Sequence, residues 1–261
     1  MKIARPPLFA AIACVIALAT ALFAAPASAA TDDYVALGDS YASGTGAGSY
    51  SGGSCYRSAN AYPVLWAEAN RPASFTFAAC SGAKTSDVIN NQVAELSTAT
   101  TLVSVSIGGN DAGFADVMYT CTVGSDSECV RRVDEAKAYA QETLPGLLDN
   151  TYAAIAANAP NARVVVMGYP RIFSSTWCWW FSNTKRNAVN SAADLLSDVT
   201  AGRASAAGFK YEDTRDDFAG HEVCRSSPWI NGIVWENLVE SYHPNKAGHV
   251  NGYLPALAGA A

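Results

Sequence analysis

A serine that follows a short apolar run is the first candidate for chemistry in this sequence. The run Tyr34 to Leu37 is too short for a helix and leads into Gly38-Asp39-Ser40, which predicts a buried strand closed by a turn. Ligands bind beyond the carboxyl ends of strands in open α/β sheets, so Ser40 is placed to act as a nucleophile if a base and an oxyanion site reach it. The alternative is that Asp39 and Ser40 form an ordinary turn or helix cap.

Two later strand ends present further polar groups. Gly82 lies in a small turn after one apolar run, and its amide can approach a ligand closely because glycine lacks a Cβ. Another run leads into two glycines followed by Asn110 and Asp111. We expect the glycines to expose Asn110, and we expect Asp111 to cap the next helix. Three strand ends that carry Ser40, Gly82 and Asn110 predict one polar site.

The chain has three histidines as candidate bases, His221, His243 and His249. His243 precedes Pro244, and a proline at the start of a helix would leave His243 in the preceding loop. We expect His249 to lie on that helix and His221 to lie near Cys224. His243 is therefore the favoured base, against the alternative of an ordinary surface histidine.

The elements that position these groups are predicted from apolar runs and turn signals. Strands are expected at 34–37, 74–78, 101–107, 163–168 and 209–213, and helices at 58–70 and 183–207. A small loop is expected from Cys121 to Cys129, followed by a helical region that is interrupted at Pro145-Gly146 and ends near Pro160. The unbroken apolar character of 164–167 predicts a sheet that is buried on both faces.

The N-terminus predicts export. Lys2 and Arg5 precede an apolar stretch from Leu8 to Phe23, which ends in the small residues 27–29. This pattern is typical of a signal peptide over residues 1–29, which includes Cys14, and leaves 30–261 as one domain. Removing the two basic residues from the 17 leaves 15, and 15 − 23 acidic residues gives a net charge of −8. An acidic chain without a basic run predicts no nucleic-acid partner and no electrostatic docking to anionic lipid.

Six cysteines remain after the signal peptide, and an even number in an exported chain predicts disulfides. Pairing in sequence order is the simplest arrangement, and each such loop would stabilise the fold by about 2.5 to 4 kcal/mol. The pairs would be Cys55–Cys80, Cys121–Cys129 and Cys178–Cys224. A zinc site is not expected, because the cysteine and histidine spacings of zinc sites are absent from the sequence. We expect no cofactor either, because Gly44, Gly46 and Gly48 lack the spacing of a nucleotide loop.

Four segments together resemble the SGNH (GDSL) hydrolase family. They are Gly38-Asp39-Ser40-Tyr41, Gly82, Gly108-Gly109-Asn110-Asp111 and Glu240-Ser241-Tyr242-His243-Pro244, in the family's order. The cysteines, the glycine-rich loop and the closing 252–255 resemble its secreted bacterial lipases and phospholipases. The resemblance implies a three-layer α/β/α sandwich around a parallel, flavodoxin-like sheet. It does not extend to ordinary α/β-hydrolases, because the second glycine of their Gly-x-Ser-x-Gly turn is missing.

The resemblance also implies roles for these residues. Ser40 would be the nucleophile and His243 the base. The amides of Ser40 and Gly82 and the side chain of Asn110 would form the oxyanion hole. The family's Asp-x-x-His is replaced here by Glu240-x-x-His243. The group that orients His243 is therefore either the Glu240 carboxylate or the main-chain carbonyl of Ser241, as relatives in this branch suggest.

The resulting hypothesis is a secreted serine esterase or lipase that acts on acyl glycerides or phospholipids. We expect a monomer whose partner is a small-molecule or lipid ester, with at most transient contact with lipid surfaces. An alternative enzyme is a carbohydrate O-acetyl esterase of the same fold, and a non-enzyme alternative is a secreted binding module. The aromatic segment 177–181 is either an apolar wall for an acyl chain or packing around a disulfide.

Overall fold

A parallel five-stranded sheet carries the predicted site. The structure, a computed structural model, describes residues 1–2 and 31–261, so the predicted signal peptide lies outside the described residues apart from its first two. The strands are β1 (Asp33–Gly38), β2 (Ser74–Phe77), β3 (Leu102–Ser106), β4 (Arg163–Met167) and β5 (Lys210–Glu212). Their order is β2-β1-β3-β4-β5 and every pairing is parallel, which is the flavodoxin-like order.

The strands alternate between two separate cores, so the sheet is covered on both faces. Tyr34 and Ala36 of β1 belong to one cluster of buried residues, whereas Val35 and Leu37 belong to the other. A period of two is what a pleated strand imposes on its side chains. The resulting helix–sheet–helix arrangement confirms the predicted three-layer α/β/α fold, and residues Thr31–Ala261 form one compact unit.

The helices fill both faces and the connections. They are α1 (Ser40–Ser43), α2 (Tyr62–Asn70), α3 (Thr85–Asp87), α4 (Phe114–Val123), α5 (Asp126–Glu142), α6 (Leu144–Asn158), α7 (Asn183–Ala206), α8 (Lys246–Gly248) and α9 (Leu254–Ala260). Short π and 3-10 turns lie at 88–92, 93–95, 238–240 and 249–253. Within residues 1–2 and 31–261, no helix has both the length and the apolar character needed to cross a membrane.

Two local predictions were wrong. The segment from Cys121 to Cys129 is not a loop: Cys121 lies in α4 and Cys129 in α5. Only Gly124 and Ser125 separate the two helices, because Ser125 and Glu128 form a capping box that starts α5 immediately. The helix predicted from residue 58 begins at Tyr62, with Pro63 in its first turn.

Three disulfides join the described cysteines in sequence order. They are Cys55–Cys80, Cys121–Cys129 and Cys178–Cys224. The first disulfide ties the glycine-rich loop after α1 to the turn that carries Gly82. The third disulfide ties the segment before α7 to the segment after β5. Both therefore restrain loops at the carboxyl edge of the sheet, where the candidate site lies.

Candidate active site

Ser40 lies directly beyond the carboxyl end of β1. Asp39 caps α1, and its carboxylate accepts a hydrogen bond of 3.0 Å from the Tyr41 amide. A Cβ on Gly38 would lie 2.4 Å from the Ser106 carbonyl oxygen, and its φ is +125°. Only glycine fits this position, because the chain turns sharply here while it touches the neighbouring strand β3. The turn leaves Ser40 at the start of a one-turn helix with its hydroxyl facing the edge of the sheet.

His243 reaches Ser40 from a loop 203 residues later. Its Nε2 lies 2.8 Å from the Ser40 hydroxyl, and its Nδ1 lies 3.0 Å from the Ser241 carbonyl oxygen. A carbonyl oxygen only accepts, so Nδ1 carries the proton and Nε2 offers its lone pair to the serine. This is the tautomer that a general base needs.

Tyr242 holds the loop in the conformation that aims His243 inward. Its φ is +62°, in the left-handed region that a tyrosine rarely adopts. Three hydrogen bonds fix it there: its carbonyl accepts from the Tyr41 hydroxyl, its amide donates to Asn231, and its hydroxyl pairs with Thr122. The surrounding contacts therefore maintain a strained residue next to His243, as is common at functional sites.

Glu240 lies close in sequence to His243, but its carboxylate makes no hydrogen bond to the His243 ring. The Glu240 carboxylate accepts a hydrogen bond of 3.0 Å from the Asn237 side chain. The structure thus places the Ser241 carbonyl, one of the two predicted alternatives, on the second nitrogen of His243.

The substitution Glu240→Gln is expected to change kcat/KM by less than about threefold, since glutamine can still accept from Asn237. A carboxylate that oriented the base would be worth on the order of 10⁴ in kcat. Steady-state hydrolysis of a soluble ester measures the difference, with Glu236→Gln as the matched control on the same loop. A fall in kcat/KM of about a hundredfold or more in Glu240→Gln would instead indicate that the Glu240 carboxylate orients His243.

Three hydrogen-bond donors belong to residues that line the same groove as the Ser40 hydroxyl. Neither the Ser40 nor the Gly82 amide donates a hydrogen bond to any described residue. The Asn110 side-chain nitrogen donates to the Ala83 carbonyl oxygen at 3.0 Å, which leaves its second N–H available. Ser40, Gly82, Asn110 and His243 all line one groove at the surface. The four residues that the sequence singled out therefore meet at one place.

Comparison with known proteins decides the family. The model of the GDSL-like lipase/acylhydrolase family matches residues 36–250. The chain is 55% identical to Lipase 1 of Streptomyces coelicolor over 246 residues, which cover 93% of this chain and 91% of that lipase. This chain belongs to the GDSL-like lipase/acylhydrolase family.

Solved structures of the family have the same fold. The crystal structure of phospholipase A1 from Streptomyces albidoflavus aligns with a TM-score of 0.87 at 51% identity, over 89% of this chain and 100% of that one. The extracellular lipase of Streptomyces rimosus aligns with a TM-score of 0.85 at 49% identity, over 87% and 99% of the two chains. The predicted family, fold and enzyme class, a carboxylic ester hydrolase, are confirmed.

A buried carboxyl group in this GDSL enzyme was not predicted as part of the site. The second oxygen of Asp39 accepts a hydrogen bond from the Tyr169 hydroxyl, which also accepts from the Gly109 amide at 3.2 Å. Burial raises the pKa of Asp39 to about 7, although the bonds from Tyr169 and Tyr41 oppose the rise. Tyr169 thereby links the turn after β1 to the turn that presents Asn110. The available signal was its position just past the end of β4.

Asp111 was expected to cap the helix after Asn110, and this prediction was wrong. Gly113 precedes α4 instead, and the Asp111 carboxylate accepts from the amide and hydroxyl of Thr85, at 3.0 and 2.7 Å. The carboxylate therefore satisfies a free amide at the start of α3, on a different segment. This contact and the one from Asn110 to Ala83 both hold the Gly82 turn against the Asn110 turn.

The surface groove is one of two apolar spaces that meet at Ser40. Its walls include His243, residues of α4, and Ile233, Leu238 and Val239. The second space is a cavity that shares Ser40 and Asn110 with the groove and is lined mainly by apolar side chains of α4, α5 and α7. The predicted acyl wall at 177–181 lines neither of the two. Phe181 instead stacks on Phe173 in the core, and Cys178 of the disulfide is buried beside it, whereas Trp177 and Trp179 of the same segment face solvent.

The buried environment of His243 sets the pH at which this site can work. Burial lowers the pKa of His243 from 6.5 to about 4, although the hydrogen bond to Ser241 opposes the shift. The ring is thus neutral, and competent as a base, at every pH well above 4.

We expect kcat/KM to fall on the acid side with an apparent pKa near 4, since protonation of His243 removes the base. The contribution of His243 to stability has the same sign: the unfolded histidine takes up its proton near 6.5, so this contribution falls as the pH drops from 6.5 towards 4. The raised pKa of Asp39 contributes in the opposite direction over the same range. Incubation at each pH followed by assay at neutral pH separates titration from unfolding. Asp39 also titrates near neutral pH, so the Asp39→Asn variant is measured as well. A fall in kcat/KM with an apparent pKa near 6.5 that persisted in this variant would contradict the prediction.

Proposed function

We propose that this GDSL enzyme is a secreted lipase that hydrolyses carboxylic esters of acyl lipids with Ser40 as nucleophile and His243 as general base. The observation that carries the proposal is the 2.8 Å contact between the Ser40 hydroxyl and His243 Nε2. The contact lies inside an apolar groove and is oriented by the Ser241 carbonyl. A turn or cap serine has no need of a buried neutral histidine on its hydroxyl.

The reaction would follow from the positions of these groups. Ser40 Oγ attacks the ester carbonyl carbon while Nε2 of His243 takes the serine proton. The carbonyl electron pair moves onto the oxygen, where the amides of Ser40 and Gly82 and the Asn110 side chain donate to it. When the intermediate collapses, the C–O bond to the alcohol breaks and His243 returns its proton to the leaving oxygen. Water then repeats the sequence on the acyl-serine and releases the fatty acid.

The two apolar spaces suggest how the substrate lies. The leaving alcohol must be near His243, because that residue protonates it, and His243 lines the surface groove. The acyl chain would then occupy the cavity between α4, α5 and α7, which Ser40 and Asn110 line but His243 does not. Most of the side chains that α4, α5 and α7 contribute to its walls are apolar, with Val117, Val189 and Leu196 among them, and such walls suit hydrocarbon. The relatives named lipase and phospholipase A1 support an acyl lipid as substrate.

Three disulfides and the N-terminal pattern support an extracellular site of action, with cleavage after Ala29 or Ala30. We propose a monomeric enzyme of one domain over residues 30–261 that uses no nucleic-acid partner. N-terminal sequencing of the protein recovered from the culture medium would check the cleavage position. A chain that retained Met1 outside the cell would contradict it.

The experiment that tests the function is hydrolysis of nitrophenyl esters from acetate to palmitate, with Ser40→Ala as the blank. The proposal expects cleavage of medium and long chains by the wild-type enzyme and none above background by the variant. Cleavage of acetate alone would favour the carbohydrate O-acetyl esterase. If the wild-type protein and the variant were equally inert on every ester, the proposed roles would be wrong and a binding module would be favoured.

A further inference from the structure

Most of the large apolar side chains that face solvent lie on three neighbouring segments, two of which line the surface groove. Nine are exposed among the described residues, and two of these, Met1 at the N-terminus and Ile89 in the turn at 88–92, belong to other segments. The other seven, which we call the apolar rim, are Tyr119, Val123, Trp177, Trp179, Trp235, Leu238 and Val239. Trp177 and Trp179 are each 77% exposed and Trp235 is 74% exposed. Indole rings left in water at this density mark a contact surface rather than ordinary scatter.

The rim comes from three segments that touch one another. The start of α7 meets the junction of α4 and α5, because Lys185 donates to the Gly124 carbonyl at 2.6 Å and Ser182 donates to Asp126 at 2.8 Å. The aromatic segment 177–181 meets the loop before His243, since a Cβ on Gly232 would lie 3.9 Å from the Trp180 ring. The Phe173 and Tyr242 rings, 5.7 Å apart, make a second contact nearby.

Helix α4 also contacts the loop before His243, so each of the three segments touches the other two. The hydroxyls of Thr122 and Tyr242 are 2.7 Å apart, which joins α4 to the loop before His243. Tyr119, Leu238 and Val239 of the rim also line the groove that contains Ser40 and His243. The apolar rim is therefore continuous with the mouth of the candidate active site.

The charge of these segments selects the kind of surface that they fit. Residues 117–123, 172–182 and 229–239 contain a single charged side chain, that of Glu236. The whole chain has a formal net charge of −6. The cations that contact these segments, Lys185 and Arg225, are already held by the Gly124 carbonyl and by the Glu222 carboxylate. Anionic lipids therefore find little attraction, and the negative net charge of the chain would repel them. Tryptophan and tyrosine favour the boundary between water and hydrocarbon, where the ring is buried and its polar edge stays wet.

We propose that the apolar rim docks the enzyme onto neutral or zwitterionic lipid surfaces and so brings an ester out of the surface into the groove. The inference rests on the proposed function, since it supplies the surface from which the lipase takes its substrate. Residues that do not line the groove, Trp177, Trp179 and Trp235, contribute to docking and not to the chemistry.

The test compares lipid binding with soluble-ester hydrolysis. The triple variant Trp177→Ser/Trp179→Ser/Trp235→Ser is expected to bind vesicles of phosphatidylcholine at least about tenfold more weakly in flotation, because the apolar area that it loses is the docking area. Binding is measured in a Ser40→Ala background so that the vesicles stay intact. Hydrolysis of dissolved nitrophenyl butyrate by the triple variant with Ser40 present is expected to stay within about twofold of wild type, which also shows that it folds. Ile89→Ser, an exposed apolar residue outside the rim, should bind like the parent.

The second part of the test measures how vesicle binding depends on salt concentration and on lipid charge. Apolar docking should persist from about 0.05 to 0.5 M salt, because screening does not weaken it. Replacing part of the phosphatidylcholine with phosphatidylserine should weaken binding. The proposal is overturned if the triple variant binds as the parent does, if the Ser40→Ala protein does not bind phosphatidylcholine, or if binding requires anionic lipid. It is also overturned if the rim proves to be a dimer interface, which would appear as a lipid-free dimer that the triple variant dissociates.

The two proposals fail in different ways. Vesicle binding by Ser40→Ala does not depend on hydrolysis, so it can succeed even if the ester activity is absent. Conversely, the triple variant could cleave dissolved esters and bind vesicles as the parent does. That result would leave the lipase assignment intact and would refute the docking role of the rim.

Discussion

Replacing Ser40 with alanine is expected to lower kcat/KM for a soluble ester by a factor on the order of 10⁴ to 10⁶, in line with the loss of a serine nucleophile in other hydrolases. The His243 ring and the oxyanion donors would remain, but no group would be left to form the acyl intermediate. A fluorophosphonate probe should likewise label the wild-type enzyme and leave the variant unlabelled. Active-site titration by the probe, followed by steady-state kinetics, measures both effects.

The variant should fold normally, so the loss can be assigned to chemistry. The Ser40 side chain makes one hydrogen bond, to His243, and its Cβ is retained in alanine. Thermal unfolding should therefore change little. Ser81→Ala is the matched control, because Ser81 lines the same groove and its hydroxyl accepts only from Thr45. A comparable loss in Ser81→Ala, or labelling of Ser40→Ala by the probe, would contradict the assignment of Ser40.

Non-additivity provides a stricter test of the pair. His243 acts only through Ser40 in this mechanism, so the double variant Ser40→Ala/His243→Ala should be no less active than Ser40→Ala alone. The single variants and the double variant are compared on the same ester. A further large fall in the double variant would mean that His243 has a role apart from Ser40.

The strands could be predicted closely because each is an unbroken apolar run between turn residues. Buried parallel strands need such runs, and the sheet packs against a core on both faces. The predicted boundaries at β3, β4 and β5 differ from the structure by one residue at most positions. The turns after β1 and β3 followed directly, since the carboxyl ends of parallel strands meet at one edge. The meeting of Ser40 and His243 came from the family resemblance, because spacing along the chain says nothing about a contact across 203 residues.

The contacts that were missed share a physical cause. Asp111 binds Thr85, and Tyr169 binds Asp39, in both cases across segments that only the folded sheet brings together. From sequence alone, a carboxylate just before a helix, such as that of Asp111, is expected to cap that helix. In the folded chain the amide of a distant residue, here Thr85, can bind the carboxylate instead. The choice between Glu240 and Ser241 was open for the same reason, because backbone carbonyls leave no signature in the residue type. At Cys121–Cys129, the presence of a disulfide suggested a loop, whereas the capping box at Ser125 started a helix.

Asn110→Ala is expected to lower kcat by about 10² to 10³, or about 2.7 to 4 kcal/mol of transition-state stabilisation, with a small change in KM. The reason is that Asn110 donates to charge that exists only in the intermediate and not in the ground-state ester. One of its N–H groups is held by Ala83, which fixes the amide in place without reorganisation during the reaction.

The alternative is that Asn110 merely joins two turns, and Asn60 provides a matched control for that role. Asn60 is half-buried like Asn110, and its side-chain nitrogen donates to the Ala47 carbonyl at 2.8 Å outside the groove. If the bond to Ala83 were only structural, both alanine variants should lose similar stability and little kcat. We expect both to lose some stability, about 1 kcal/mol for such a bond, and Asn110→Ala alone to lose kcat. A fall in kcat of less than about tenfold in Asn110→Ala would exclude the side chain from the oxyanion hole and leave only the amides of Ser40 and Gly82.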